Sequence, residues 1–88
     1  MKIEELYDRI STIREAKEWD KSALQGGCYI HLEVSEFIEA LRGKGSTSPA
    51  AEAGDVLIAL CAVLSHYNIT VEQVLGEADA TLARLENR

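Results

Sequence analysis

Residues 52–63, EAGDVLIALCAV, form the stretch that decides the fold class predicted for this sequence. Two carboxylates three positions apart, Glu52 and Asp55, open a run that is otherwise almost wholly apolar. Apolar residues without strand-like alternation indicate a helix that is buried on most of its sides. An ionised carboxylate is rarely buried without a partner, because the lost hydration costs several kcal/mol. The stretch therefore predicts a buried helix whose two acids are compensated by another group.

The composition of the whole chain fits one small helical domain spanning residues 1–88. The chain has one Pro and six Gly, and 47% of its residues are hydrophobic, which is too many for a disordered segment. Its formal net charge is −6, from 15 acidic residues against nine Lys and Arg. This charge argues against a protein that binds nucleic acid polymers. It is compatible with binding a phosphate compound through metal ions.

The sequence predicts a cytoplasmic protein that does not enter a membrane. The N-terminal segment MKIEELYDRI is acidic and amphipathic, unlike a signal peptide. The longest apolar run, VLIALCAVL, is much shorter than the roughly 18 residues of a membrane span. The two cysteines, Cys28 and Cys61, have apolar neighbours and no metal-binding spacing, so both are predicted to be reduced, buried thiols.

Hydrophobic periodicity and helix-start signals predict an all-α fold, a four-helix bundle. The predicted helices cover residues 3–18, 22–42, 49–66 and 71 onward. N-cap signals precede the last three helices: Ser22 with Gln25, Ser48 with Pro49, and Thr70 with Gln73. Gly26 and Gly27 leave open whether the second helix begins at Ser22 or later. Because the third helix is apolar nearly all round and the chain is short, we expect part of it to form a subunit interface.

Four carboxylates are predicted to meet where the second and third helices adjoin. Glu33 and Glu36 lie three residues apart on one helix, and Glu52 and Asp55 have the same spacing on the next. The short loop at residues 43–49 favours an antiparallel arrangement of these helices. Oxygen ligands of this kind suit Mg²⁺ or Mn²⁺. The alternative is that each pair is simply a solvated helix face.

The motif-bearing segments resemble the MazG-like, all-α nucleoside triphosphate pyrophosphohydrolases. That family has ExxE on one helix and ExxD on the next, which are matched here within LEVSEFIEALRG and EAGDVLIALCAVLSHYNI. The preceding segment REAKEWD resembles the dCTP pyrophosphatase branch. The resemblance extends over about residues 10–75, and the order and separation of the two motifs are its most specific part.

The resemblance implies a fold, a reaction and an assembly. Mg²⁺, or Mn²⁺ in its place, would bind Glu33, Glu36, Glu52 and Asp55, with Glu33 and Glu36 as the catalytic residues. The reaction would convert a nucleoside triphosphate or its deoxy form to the monophosphate and pyrophosphate, as in cleansing of the nucleotide pool. The chain would assemble as a homodimer or homotetramer whose subunits share the site. The alternatives are a non-catalytic helical oligomer that binds nucleotide or a protein partner, and a purely structural bundle.

The last helix departs from the family pattern at the expected phosphate contacts. Related enzymes carry a Lys, and often an Asn, on or just after this helix, whereas the present helix has no Lys and only Arg84 and Arg88 as basic residues. Arg84 is one candidate for the phosphate contact. Lys44 in the loop is another, and the metal ion alone is a third. The fourth possibility is that the activity is weak or lost.

Further substrate contacts are predicted before and around the first motif. Trp19 either stacks on a nucleobase or packs the junction of the first two helices. Lys21 either contacts a phosphate or is solvated. His31 either donates to the substrate or has a structural role, and Glu39 either assists a second metal ion or is solvated.

Overall fold

The computed structural model describes residues 1–19 and 22–88, and this part of the chain contains helices and no strand. The helices are α1 (Ile3–Lys17), α2 (Ala23–Leu41), α3 (Pro49–His66) and α4 (Val71–Glu86). The predicted all-α class is confirmed. Each helix boundary predicted from the sequence lies within one residue of the observed one.

Helix α2 begins before its two glycines, Gly26 and Gly27, and not after them. The hydroxyl of Ser22 accepts a hydrogen bond from the backbone N–H of Gln25 at 3.3 Å, as an N-cap does. The helix therefore begins at Ala23, and Gly26 and Gly27 lie inside its first turns.

The starts of α3 and α4 are fixed by local hydrogen bonds of the same kind. Ser48 caps α3 by accepting from the N–H of Ala51 at 3.1 Å, and Pro49 takes the first helical position. Thr70 and Gln73 form a reciprocal capping box, with bonds of 3.1 and 2.8 Å. These contacts involve only neighbouring residues, which is why the sequence alone indicates them.

Helices α2 and α3 are antiparallel neighbours, as predicted. The start of α2 and the end of α3, which lie far from the connecting loop, are joined by a hydrogen bond of 2.7 Å from the backbone N–H of Ala23 to the hydroxyl of Tyr67. Helix α1 packs against α3, and the guanidinium of Arg14 donates to the hydroxyl of Ser65 at 3.2 Å. This arrangement puts the second half of α2 beside the first turns of α3.

The core formed by one chain is small. Within residues 1–19 and 22–88, the buried apolar side chains are Ile10, Cys61, Ala62 and Val71. Cys61 is buried as predicted, and burial raises the pKa of its thiol. The prediction for Cys28 is wrong, because this thiol is exposed on the outer face of α2. Its apolar neighbours belong to a surface groove rather than to the core.

Helix α4 is attached to the other helices only near its start. Among the described residues it contacts α1 alone, where Val71 is buried. Its remaining apolar stripe is about half exposed, at Leu75, Leu82 and Leu85. The predicted four-helix bundle is therefore not confirmed, since α4 leaves its apolar face without a partner from this part of the chain.

The dimensions of the chain show how much surface it leaves uncovered. Its radius of gyration is 14.5 Å, whereas a compact domain of 88 residues has about 12 Å. Its accessible surface is 6410 Å², against about 5,100 Å² for an average folded monomer of this length. The apolar face of α3 contributes to the excess, because Leu57 and Ile58 are 45% and 40% exposed.

In the described segments, α3 is also the one helix that is long and apolar enough to cross a membrane, by length and composition alone. A core helix of a soluble protein meets the same criterion, and α3 carries Glu52 and Asp55 near its start. The prediction that the chain does not enter a membrane stays a prediction.

Candidate metal centre

Three of the four predicted carboxylates come together between α2 and α3. Glu33 and Glu36 project from α2 one turn apart, and Glu52 projects from the first turn of α3. One oxygen from each of these three side chains lies within 4.8 Å of the others. The antiparallel packing of the two helices therefore assembles a group of acidic oxygens from residues distant in sequence.

Glu52 is the most buried member of this group, with only 7% of its surface exposed. Its Oε1 accepts a hydrogen bond from the hydroxyl of Thr47. Its Oε2 is shielded from solvent and has no hydrogen-bond partner among the described residues, and the same holds for Oε2 of Glu33. A shielded carboxylate oxygen without a partner lowers the folding stability. A positively charged or hydrogen-bonding ligand at these two atoms would offset that cost.

The environment of the group raises the pKa of Glu33 above its ordinary value of 4.5. Loss of hydration is the largest cause, followed by the negative charges of Glu36, Asp55 and Glu52 and by a hydrogen bond with Glu36. The charges of Glu36, Asp55 and Glu52 thus disfavour a negative charge on Glu33. A bound cation would relieve this repulsion.

Asp55 lies at the edge of the group rather than inside it. It is exposed, and it is not one of the three side chains whose oxygens approach within 4.8 Å. Its charge nevertheless contributes to the raised pKa of Glu33, and both residues line the same cleft. Asp55 is therefore positioned to reach a ligand from the rim of the cleft.

This cleft, of about 270 Å³, extends from the carboxylates toward the end of α1. Its lining combines two acids, two aromatic rings and an apolar floor: Glu33, Asp55, Trp19, Tyr29, Ile10, Ile58, Ala59 and Ala62. Trp19 reaches it because α1 ends in the left-handed Glu18, which lets the N–H of Trp19 bond to the carbonyl of Arg14 at 3.1 Å. The cleft can accommodate a flat ring beside the acidic group.

The other predicted contact residues do not gather at this cleft. His31 is exposed and lies on the face of α2 opposite Glu33. Arg84 lies on α4, which touches neither α2 nor α3 in the described segments. Glu39 is paired with Arg42 at 3.4 Å. Lys21 lies outside the described residues.

Two residues with a place at the site were not assigned a role from the sequence. Tyr29 precedes Glu33 by one helical turn, a spacing that does indicate a shared face. Thr47 lies in the loop before α3, and no sequence pattern identifies the partner of a loop hydroxyl.

A second groove, of about 460 Å³, lies on the outer face of the first half of α2 and shares Tyr29 with the cleft. It is larger than the cleft and mainly apolar, lined by Leu24, Gln25, Cys28, Tyr29 and Leu32. Among the described residues its lining holds no carboxylate, which favours an apolar contact surface over a metal site.

The donor set of the acidic group fits a hard divalent cation. Its three members offer carboxylate oxygens, and Oε2 of Glu33 and Oε2 of Glu52 are shielded and lack a hydrogen-bond partner among the described residues. Mg²⁺ and Mn²⁺ prefer oxygen ligands of this kind. The chain matches no protein-family model, and it matches no curated protein and no solved structure at a significant level. A function for this site can therefore be argued only from its own residues.

Proposed function

We propose that this protein is a Mg²⁺-dependent hydrolase that converts a nucleoside triphosphate, or its deoxy form, to the monophosphate and pyrophosphate, with removal of unwanted nucleotides from the cellular pool as its role. The observation that carries the proposal is the group formed by Glu33, Glu36 and Glu52. Glu52 is more than nine-tenths buried, contributes one oxygen to this group, and has a shielded Oε2 without a hydrogen-bond partner among the described residues. Burying such an oxygen is costly unless a partner compensates it, and a bound cation would be that partner.

The roles of the acids follow from their burial. Glu33, Glu36 and Glu52 would hold the ion, and Asp55 would reach it from the rim. When bound, Mg²⁺ would offset the charge of the acids and of the triphosphate. Glu33 is the better candidate for general base, because its side chain lines the cleft that would hold the substrate. Glu36 is more exposed and lies one turn away.

The cleft beside the acids supports a substrate with an aromatic base. Trp19 and Tyr29 line it, and Trp19 is 42% exposed, so two aromatic side chains lie where a nucleobase would bind. A triphosphate bound at the acids would place its sugar and base toward these rings. Manganese would substitute for magnesium, since the ligands are all oxygens.

We propose that the working form is a homodimer or larger homo-oligomer. The chain exposes about 1,300 Å² more than an average monomer of its length, and a stable interface buries about 800 Å² per partner. The uncovered surface is apolar on α2, α3 and α4. A second copy of the chain also offers the simplest source of a basic side chain, because Arg84 does not reach the acids of its own chain.

Pyrophosphate release is the direct test of the proposed reaction. Wild-type protein with Mg²⁺ should release pyrophosphate from at least one member of a panel of common and modified nucleoside triphosphates. Glu36→Gln should lower this rate at least about 100-fold, the contribution expected of a residue in the catalytic group. Glu39→Gln is the matched control, because Glu39 lies one turn further along α2 and pairs with Arg42 on the surface. Full activity of Glu36→Gln would contradict the assigned site.

A second candidate, a non-catalytic module that binds nucleotide, is favoured by one observation. Among the described residues, no basic side chain lines the cleft beside the acids, although phosphoryl transfer commonly uses one. Calorimetry with Mn²⁺ and the same panel distinguishes the two candidates. Saturable nucleotide binding without any pyrophosphate release would support the binding module.

A further inference from the structure

We infer that Thr47 is a positioning residue for the proposed metal site: its hydroxyl holds one oxygen of Glu52 and thereby directs the other toward the ion. The inference rests on the proposed function, because it needs the acidic group to bind a divalent cation. It concerns a loop residue that has no carboxylate and would not itself contact the metal.

The loop between α2 and α3 is built so that Thr47 reaches Glu52. After α2, the backbone N–H groups of Gly43 and Lys44 bond to the last carbonyls of the helix at 3.1 and 2.9 Å. Gly43 and Gly45 then take positive φ values of 75° and 92°, which turn the chain toward α3. Thr47 comes directly before the N-cap Ser48, so its backbone is anchored at the helix start.

The hydrogen bond from Thr47 defines the orientation of the Glu52 carboxylate. The hydroxyl donates to Oε1, and Oε2 is left shielded and without a partner in the described part of the chain. A glutamate side chain has several rotatable bonds, and fixing one oxygen also fixes the direction of the other. The hydroxyl is neutral, so it orients Glu52 without cancelling the charge that attracts a cation. A Lys or Arg in its place would cancel that charge.

Residues that hold metal ligands in place typically change metal affinity about 10- to 100-fold when they are altered. Thr47→Val keeps the shape of the side chain and removes the donor. We therefore expect the Mn²⁺ dissociation constant to rise about tenfold in Thr47→Val. Thr47→Ser keeps the donor and should stay within about threefold of the wild type.

The experiment titrates each protein with Mn²⁺ alone and follows free Mn²⁺ by electron paramagnetic resonance. Five proteins are compared: wild type, Thr47→Val, Thr47→Ser, Ser46→Ala and Glu52→Gln. Ser46→Ala is the matched control, because it removes an exposed hydroxyl from the adjacent position of the same loop. The melting temperature of each protein in EDTA is measured alongside.

The pattern that supports the inference is weaker Mn²⁺ binding by Thr47→Val and near-normal binding by Thr47→Ser and Ser46→Ala. Loss of the hydrogen bond to the buried Glu52 should also lower the melting temperature of Thr47→Val in EDTA, but it should stay above the temperature of the titration. If Thr47 acted only on folding, the melting temperature of Thr47→Val in EDTA would fall while the Mn²⁺ dissociation constant of the folded variant stayed at the wild-type value. If the wild type binds Mn²⁺, Glu52→Gln loses it and Thr47→Val binds normally, the role of Thr47 is overturned while the metal site stands. If the wild type does not bind Mn²⁺, both the metal site and the role of Thr47 are overturned.

Discussion

Acidic side chains on two adjacent helices make the metal-free fold less stable than its packing alone would allow. Glu33 shows this cost most directly, since its pKa is raised by lost hydration and by three neighbouring acids. The folded state binds a proton at Glu33 more tightly than the unfolded state does. The stability from this difference is present below the unfolded pKa of about 4.5 and is lost as pH rises through the higher folded pKa.

Replacing Glu33 with Gln should therefore stabilise the metal-free protein at neutral pH. Relative to wild type in EDTA, the unfolding free energy of Glu33→Gln should increase between pH 4.5 and pH 7.5, because only the wild type acquires the repelled charge. Urea titrations at both pH values measure this difference. The same variant should lose most of the Mn²⁺-induced rise in melting temperature, which arises from ligand binding to the folded state.

Glu39→Gln serves as the control for this prediction, since Glu39 is partly solvated and paired with Arg42. Its difference from the wild type should be nearly the same at both pH values. A wild type and a Glu33→Gln variant with parallel pH dependence would show that the acids do not repel one another in the folded chain.

The sequence predicted which acids lie near one another, but not how their side chains are arranged within the group. The i, i+3 spacings identified Glu33, Glu36 and Glu52, because helical geometry dictates which residues share a face. It did not show that Asp55 lies at the rim, since that depends on the angle at which α3 meets α2. It did not identify Thr47, whose reach depends on the path of the loop.

The helices differ in how firmly they are held. Helix α3 is packed between α1 and α2, whereas α4 has a complete capping box at its start and few tertiary contacts after it. Opening of α4 should therefore be a local event that does not require unfolding of the remaining helices. Within a single chain, the stability of α4 should depend mainly on its own helix propensity.

Gly76 offers a test of this dependence. A Cβ at this exposed position of α4 would meet no other atom within 4 Å, and Gly costs about 0.5–1 kcal/mol relative to Ala inside a helix. Gly76→Ala should slow hydrogen exchange of the α4 amides about two- to fivefold, with little change in α3. Ala80→Gly, one turn further on the same face, should accelerate exchange by a similar factor. Faster exchange in Gly76→Ala would instead indicate that another helix packs closely at this glycine.

The helix boundaries could be predicted from the sequence because the signals that set them are local. Ser48 with Pro49, and Thr70 with Gln73, act within one turn of the helix they begin. The placement of α4 could not be predicted in the same way. An apolar stripe at Leu75, Leu82 and Leu85 shows that a face favours burial, but it does not show which surface buries it.

For the whole molecule, the uncovered apolar surface is the dominant feature. The chain is more extended than a compact domain of 88 residues and has a small core of its own. Self-association would supply the missing burial, and the outer groove on α2, the exposed face of α3 and the stripe of α4 are the surfaces available for it.

Leu82→Glu tests whether the stripe of α4 holds copies of the chain together. Leu82 is 52% exposed in one chain. Losing about 2 kcal/mol of burial at each of two equivalent positions would weaken a dimer roughly 10³-fold. Light scattering after gel filtration should therefore show an oligomer for the wild type and a monomer for Leu82→Glu. Ala80→Glu, on the opposite face of α4, should leave the oligomer intact.

Two results would contradict this arrangement. A monomeric wild type would show that the apolar surface is not used for self-association. An unchanged oligomer in Leu82→Glu would place the interface on α2 or α3 instead.

The position of Trp19 makes the intrinsic fluorescence of the protein a probe of the cleft. It is the single tryptophan of the chain, and its ring is partly exposed in the cleft beside Glu33 and Asp55. All indole emission from the protein therefore originates at one known place. A molecule that enters the cleft changes the polarity around that chromophore, so the protein carries its own fluorescent reporter and needs no attached dye.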